Sequence, residues 1–594
     1  MRTPGYHGRY LRIDLSTRTW RYCDWPAGVL RQFLGGVGLG TWLLLSESRP
    51  RQDPLSAEAP VAIVFSPLVG SPLTTSAKFA VVSQSPLTDR INDSLSSSHF
   101  AIAGKKTGCD ALLITGQSPV PVALRIQPDR VDFLDAAAWW GLSAQETGDA
   151  FRSEQGNGFR VAAIGVAGEN LVRYATVSHD GRHAGRGGTG AVWGAKRLKA
   201  IGVQGDRLTD YAQPRELMSY AKRLSQKSFG PETAKYRELG TVSNLLTFNR
   251  LGTLPTRNFQ QGEFESAQSL ALENHAADLP RTRTSCAACT IGCEHLFVPA
   301  GRQSGVRMEY ESLFALGSLC GIADPQIALQ AVSLCDEYGL DTISTGGSIA
   351  FAMECVERGW LDAPQLRFGA GEPLLETIAA IAHRREPIGA LLAEGSRRAA
   401  AIIGQGSLAI APQVKGMEIP GYEPRALQTM ALGFAVGTRG ADHNRSGAYQ
   451  VDFSAAVDRM NPSPEAIELA IETENEAAVM DSLILCKFLR GVFDDRWQAM
   501  SEMLGLITGW DMTPAELKCT AERIVTARKW FNIRQGWTID EDTLPDRFFA
   551  SPLESGASAG AKLDRAQFQQ WIEQYNRLRN WSPDGVPADA DWSL

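Results

Sequence analysis

Three cysteines fall within eight residues near the middle of the chain, in Ser285-Cys286-Ala287-Ala288-Cys289-Thr290-Ile291-Gly292-Cys293. The spacing is CxxCxxxC, and it stands out because the sequence holds only ten cysteines in 594 residues. Three thiolates so placed can hold three corners of one compact soft-metal centre, and a [4Fe–4S] cluster takes four. Cys486, far along the chain, is the candidate fourth ligand. Zinc is the rival occupant, but structural zinc sites commonly pair two CxxC or CxxC/HxxxH knuckles, and no second knuckle is present. Three buried, unliganded thiols are the plainest alternative, which the local density of cysteine disfavours. The order also differs from the CxxxCxxC of radical-SAM enzymes.

Other segments carry titratable or anion-binding groups. Glu309-Tyr310-Glu311 and Ala441-Asp442-His443-Asn444-Arg445 supply candidates for acid–base work, although a lone histidine is more often structural. Arg186-Gly187-Gly188-Thr189-Gly190 is a glycine-rich turn headed by an arginine, a pattern that suits a phosphate but also an ordinary loop. Asp336-Glu337-Tyr338-Gly339-Leu340-Asp341 and Asp481-Ser482-Leu483-Ile484-Leu485-Cys486 form a pair, each at the end of a helical stretch, where carboxylates can accept several hydrogen bonds from a ring-rich ligand. Gly35-Gly36-Val37-Gly38-Leu39-Gly40 invites a dinucleotide-binding reading, but that fingerprint follows a strand, and residues 27–34 read as helix. Close approach of two backbones is the better reading there.

The elements that must position these groups change character along the chain. Short alternating or apolar runs at residues 10–15, 19–22, 61–65, 79–83, 111–115, 122–126 and 161–165 predict strands, nearly all punctuated by Gly or Pro. After Gln213-Pro214 the period becomes helical: residues 215–228, 326–338, 342–358, 373–383, 387–401, 464–485, 496–506, 514–530 and 563–578 predict amphipathic helices. The expected class is α+β: a β-rich domain over residues 1–206, then mainly helical domains over 207–408 and 409–594. A hydrophobic content of 44% and a charged content of 21% are ordinary for a globular protein. The net charge of −7 gives no basic footprint for nucleic acid. The N-terminal stretch lacks an apolar signal core, no window offers a membrane span, and the scattered cysteines fit a reducing compartment, so the cytoplasm is expected.

Together these motifs make the chain similar to the tungsten-containing aldehyde:ferredoxin oxidoreductase family over its whole length. The likeness runs through residues 5–15 and 35–40, Gly70-Ser71-Pro72-Leu73, Ser85-Pro86-Leu87-Thr88, residues 185–201, the cysteine triplet and both acidic motifs. It continues in Lys415-Gly416-Met417-Glu418-Ile419-Pro420-Gly421-Tyr422-Glu423, residues 438–445 and Phe531-Asn532-Ile533-Arg534. The resemblance implies a β-rich domain cupping a tungsten bis-pyranopterin, molybdenum being the chemical alternative, with two helical domains closing over it. It implies one [4Fe–4S] cluster on Cys286, Cys289, Cys293 and Cys486, and Glu311 and His443 beside the metal as catalytic groups. Asp336 and Asp341 would serve one pterin, and Asp481 and Leu485 the other. Lys78 would bridge cluster and pterin, and Arg186, Gly187, Gly188 and Gly190 would lie near pterin phosphates joined by Mg2+. The sequence departs from the family at Ile484, where glycine is usual.

The implied activity is oxidation of an aldehyde to a carboxylic acid, with electrons leaving to ferredoxin or a dedicated iron–sulfur subunit, in a homodimer or hetero-oligomer. A benzoyl-coenzyme-A-reductase-type catalytic subunit is the alternative within the family, with Cys320 as its pointer. A cluster-only electron-transfer subunit is the alternative from another class, and a zinc-stabilised scaffold is the remaining one.

Overall fold

Alternating apolar residues fold the first third of the chain into two sheets. The computed structural model describes residues 3–97, 99–301 and 304–587; Met1 and Arg2 of the N-terminal stretch lie outside them. The strands are β1 (Arg9–Asp14), β2 (Thr19–Asp24), β3 (Val61–Val64), β4 (Lys78–Gln84), β5 (Ile91–Ser97), β6 (Ala111–Thr115), β7 (Val122–Gln127), β8 (Arg130–Asp135), β9 (Arg160–Ile164), β10 (Val177–His179), β11 (Arg182–Ala184) and β12 (Leu198–Val203). One six-stranded sheet has the order β2-β1-β6-β3-β4-β5, and the other β11-β10-β9-β12-β7-β8. Both are mixed: β1 runs parallel to β6, and β12 parallel to β7, among antiparallel neighbours.

The two-residue period of a strand sorts side chains onto opposite faces. Leu11, Ile13, Val61, Ile63, Val81, Leu112 and Ile114 point between the sheets, meeting Leu124, Ile164 and Ile201. Tyr10, Ala62, Val64, Ala80, Val82 and Leu113 point the other way, onto the helices Gly36–Glu47 and Pro514–Arg534. The central strands of the first sheet are thus buried on both faces, with a helix from the far end of the chain over one of them, while edge strand β2 stays partly exposed.

The rest is mainly helical, as expected, and most helices begin and end within a few residues of their predicted bounds. One does not. Residues 387–401 form two helices, Glu386–Leu392 and Ser396–Ile403, because Gly395 at φ +83° breaks the run. Strands β5, β8, β10, β11 and β12 escaped the sequence reading; β5 in particular is rich in Asn, Asp and Ser, residues that ordinarily mark turns. No single described helix is long and apolar enough to cross a membrane, and the apolar run across residues 313–335 bends by 119° between two helices.

The glycine-rich stretch near the N-terminus does what close approach requires. A Cβ on Gly36 would stand 2.4 Å from the Asp481 carbonyl oxygen and 2.9 Å from Ile484 Cγ1. The first acidic motif docks the same way: a Cβ on Gly165 would meet the Tyr338 carbonyl oxygen at 2.5 Å. Both motifs end their helices with a left-handed residue, Gly339 at φ 77° and Ile484 at φ 67°. Ile484 therefore keeps the backbone form that glycine would take, with its side chain fully buried. Gly36→Ala should destabilise the protein by at least about 2 kcal/mol, combining left-handed strain with the clash. Gly70→Ala, also at positive φ but with nothing within 4 Å, should cost about 1 kcal/mol. Thermal midpoints of the two variants decide it, and equal midpoints would refute the packing role of Gly36.

Candidate functional site

The cysteine triplet is the connection of a β-hairpin. Strands Arg281–Thr284 and Glu294–Phe297 pair in antiparallel register, Thr284 opposite Glu294, and the intervening loop carries all three thiols. The loop is pinned to the first domain: Thr75 N–H donates to the Ala288 carbonyl at 2.7 Å, and Thr290 N–H to Thr74 Oγ1 at 3.0 Å. Ile291 is buried beside Leu485 and Leu489, which brings in the segment bearing Cys486. Burial first, and the neighbouring thiol of Cys486 second, push Cys289 up to about 11 and Cys293 higher still. Cys286 acts on both as well, so the four thiols lie close enough together to surrender their protons to a soft metal. Lys78, at the start of β4, lies against them. Burial would lower its ammonium, but Cys486, Cys286, Asp481 and Cys289 raise it above its ordinary value. Among the described residues, no three Cys, His, Asp or Glu side chains converge as a single ion requires.

A second group assembles around Glu311 and His443. Glu311 sits in the first turn of the helix Tyr310–Leu316, and His443 opens the short helix His443–Ser446, capped by Asp442, whose Oδ1 accepts from Asn444 N–H at 2.8 Å. His443 Nε2 stands 3.6 Å from Glu311 Oε1. Glu309 turns instead to the Thr241 hydroxyl. Glu311 Oε2 accepts from Gly421 N–H at 3.0 Å, while Oε1 has no hydrogen-bond partner. Burial pushes this carboxyl up to about 7 and lowers His443 to about 4. Asn444 Nδ2 lies 2.9 Å from His443 Nε2; an amide nitrogen can only donate, so Nε2 accepts and Nδ1 carries the proton. Nδ1 is buried without a partner. The ring stacks on Tyr422, centroids 5.0 Å apart, and Tyr422 lies 5.1 Å from Tyr449.

The other motif residues divide. Asp341 caps the helix Thr342–Glu357 and ion-pairs with Arg186 at 3.4 Å. The Arg186 guanidinium also donates to the Ala441 carbonyl at 2.6 Å and to the Glu418 carbonyl, so the protein already engages most of it. Gly187 and Gly188 are left-handed, and a Cβ on Gly187 would strike Asn92 Oδ1 at 2.1 Å; Gly190 lies in the helix that follows. Asp336 is placed apart. It bonds His183 Nε2 at 3.0 Å and lines two surface clefts of about 520 and 440 Å³. Asp481 is buried between Arg445 at 2.8 Å and Lys487 at 2.9 Å, and Leu485 is packed in apolar surroundings, its N–H given to the Met480 carbonyl. Cys320 lies in the apolar interior, its sulfur facing the Ala315 and Gly346 carbonyls rather than Glu311 or His443.

Sequence reasoning missed the residues that join these groups. Asp93, on β5, ion-pairs with Arg445 at 2.5 Å and Arg528 at 2.6 Å. Burial alone would raise its carboxyl; Arg445, Arg528 and Arg439 bring it down to about 2. Its neighbour Asn92 is buried with Nδ2 on the Arg186 carbonyl at 3.1 Å and Oδ1 unpartnered. No pattern marks either residue, because a buried polar strand reads as a turn.

Residues 10–205 match the family profile described as "Aldehyde ferredoxin oxidoreductase, N-terminal domain", and residues 216–592 the profile for domains 2 and 3. The chain belongs to the aldehyde ferredoxin oxidoreductase family. It is 36% identical to a tungsten-containing aldehyde ferredoxin oxidoreductase of Thermococcus kodakarensis and 35% identical to that of Pyrococcus furiosus, in each case over 98% of both chains. It is 27% identical to the WOR-like subunit of an aliphatic sulfonate oxidoreductase of Pyrococcus furiosus, over 98% of this chain and 96% of that one. Its fold matches the active site complex BamBC of benzoyl-coenzyme A reductase, with TM-score 0.82 at 22% identity over 99% of this chain and 96% of that one.

In this oxidoreductase-family fold, Asp93 ties the first sheet to the segment bearing His443. Asp93→Asn would leave two guanidiniums buried beside a neutral amide and should cost about 3–5 kcal/mol. Because the Asp93 carboxyl is held below its unfolded value near 3.9, its stabilisation is present above that pH and is lost as pH falls toward about 2. The wild-type margin over the variant should shrink below pH 4; a margin unchanged between pH 7 and 3 would exclude the ion pairs as its source.

Proposed function

We propose that this protein oxidises aldehydes to carboxylic acids at a tungsten, or molybdenum, bis-pyranopterin and passes the electrons through one [4Fe–4S] cluster to a ferredoxin or dedicated iron–sulfur subunit. The observation that carries the proposal is the convergence, in one fold, of a four-thiol corner, a lysine at its edge, and a carboxyl–imidazole pair in which Glu311 Oε1 and His443 Nδ1 lack partners. The donor set suits the group: soft thiolates for a cluster, and an amide oxygen and carboxylates for the polar edges of a pterin. Cys286, Cys289, Cys293 and Cys486 would hold the cluster, and Lys78 would lie between it and the pterin. Asp341, Asp481, Asn92 and the Arg186–Gly190 turn would line the rest. When bound, the pterin metal supplies a two-electron couple with oxygen-transfer chemistry, and the cluster a one-electron exit.

The chain's own residues handle protons and orientation. Oxidation of an aldehyde by water releases two electrons and two protons along with the acid. Glu311, poised near neutrality, takes a proton from water or from the aldehyde hydrate through Oε1. His443, neutral throughout the working pH range, donates from Nδ1 to the carbonyl oxygen as charge develops there. Tyr422 and Tyr449 give the reacting groups a largely dry wall. Arg281 and Arg283, exposed on the strand leading into Cys286, offer an acidic carrier a basic landing close to the cluster. Cys320, buried away from this group, gives no support to the benzoyl-coenzyme-A-reductase alternative.

With a viologen dye as acceptor, wild-type kcat/KM should rise with pH through a limb near 7, as Glu311 ionises. Glu311→Gln should lose that limb and fall at least about 100-fold with tungsten and iron content unchanged. A variant retaining wild-type rates would remove Glu311 from the mechanism, and the absence of aldehyde oxidation by metal-loaded wild type would refute the proposal.

A further inference from the structure

Among the described residues, eight arginines are buried to below a tenth of their surface: Arg90, Arg186, Arg425, Arg439, Arg490, Arg528, Arg547 and Arg579. Seven of them meet a carboxylate: Glu541, Asp341, Glu423, Asp442, Asp93, Glu354 and Glu474 respectively. Arg490 alone does not. At 7% exposure it makes one side-chain hydrogen bond, from Nη1 to the Tyr449 hydroxyl at 3.0 Å, and its Nε and Nη2 are buried without partners. Arginine keeps its charge under any physiological condition, so it cannot escape the cost of burial by losing a proton. A buried guanidinium without an anion is costly, and none of the other seven described buried arginines bears that cost.

The position is not arbitrary. Arg490 follows the short 3-10 turn Lys487–Leu489, four residues beyond Cys486, and the stiff turn fixes where its side chain starts. Tyr449, which it bonds, lies 5.1 Å from Tyr422 and 6.0 Å from His443 by ring centroid. The guanidinium is near enough to add to the charges lowering His443, after burial and behind Arg186. Tyr449, Tyr236, Lys487 and His443 each interact with it, and none of these supplies a negative charge in its ordinary state; Tyr236 in turn also lies near Cys486 and Cys293. One aromatic ring separates the unpaired cation from the proposed acid–base pair.

We infer that Arg490 is the anchor for an oxyanion carried by the substrate itself, so that the preferred aldehydes bear a carboxylate, sulfonate or phosphate at the end distant from the reacting carbonyl. The inference rests on the aldehyde oxidation proposed above and names its substrate class. Planar Nε and Nη2 present the paired donors that a carboxylate or sulfonate accepts side by side, and the missing anion arrives with the ligand. A pterin phosphate could also supply that anion, and the test separates the two sources.

The experiment compares succinic semialdehyde with butyraldehyde, equal in chain length, using metal-loaded enzyme and a viologen acceptor. Wild type should favour the acidic aldehyde in kcat/KM, and Arg490→Met should lower the acid-to-neutral ratio on the order of 100-fold. Arg490→Lys should restore part of it, since a point charge remains but the paired donors do not. A second measurement needs no turnover: succinate should raise the thermal midpoint of wild type but not of Arg490→Met, whose own midpoint without succinate should be no lower than wild type. Absence of a wild-type preference for the acidic aldehyde, or equal losses on both substrates, would overturn the inference while leaving aldehyde oxidation standing. Loss of tungsten and pterin from Arg490→Met would overturn it too, assigning the guanidinium to the cofactor. Should neither aldehyde be oxidised, the proposed activity fails, and the succinate shift alone still tests the anion site.

Discussion

Asp93 is held between guanidiniums that come from two distant parts of the helical region, Arg445 of the His443 segment and Arg528 of the long helix Pro514–Arg534. Arg445 reaches on to Asp481, which also holds Lys487 one residue beyond Cys486. A single buried run of alternating charge therefore links the first sheet, the acid–base pair and the fourth thiol. Such a run tolerates no missing member, because each charge is stripped of water and depends on its neighbours. It fixes the relative positions of segments that sequence distance leaves free, and every geometric statement about the site depends on it.

Close backbone approach complements those charges. The glycines at 36 and 165 admit the ends of the two acid-motif helices to the first domain, so both motifs meet the sheets at contact distance. The two ends then serve different surroundings. Asp481 is buried in the charge run, whereas Asp336 faces solvent clefts and His183. Similar sequences with the same left-handed cap thus arrive in unlike environments, set by what faces them rather than by the motif.

Much of this was legible in the sequence because it rests on local patterns. The short apolar and alternating runs placed seven of the twelve strands of the two large sheets, the 3.6-residue period placed the main amphipathic helices, and the spacing of Cys286, Cys289 and Cys293 marked the hairpin loop that carries them. Gly395 broke a helix that the apolar period alone would have continued, since a left-handed backbone outweighs propensity. What stayed hidden is non-local. Asn92 and Asp93 sit on a strand whose composition resembles a turn, and only the arginines arriving from residues 445 and 528 make such burial tolerable. Arg490 was equally invisible, because its distinction is the absence of a partner, which no sequence pattern records.

The most direct test of the whole reading is elemental analysis of the anaerobically purified protein for tungsten, molybdenum, iron and zinc, counted per chain. One tungsten or molybdenum with about four iron atoms is the expected result, the iron being the content of a single cubane. Iron without either heavy metal would contradict the pterin centre while keeping the cluster. Zinc alone, held by the same four thiols, would contradict both.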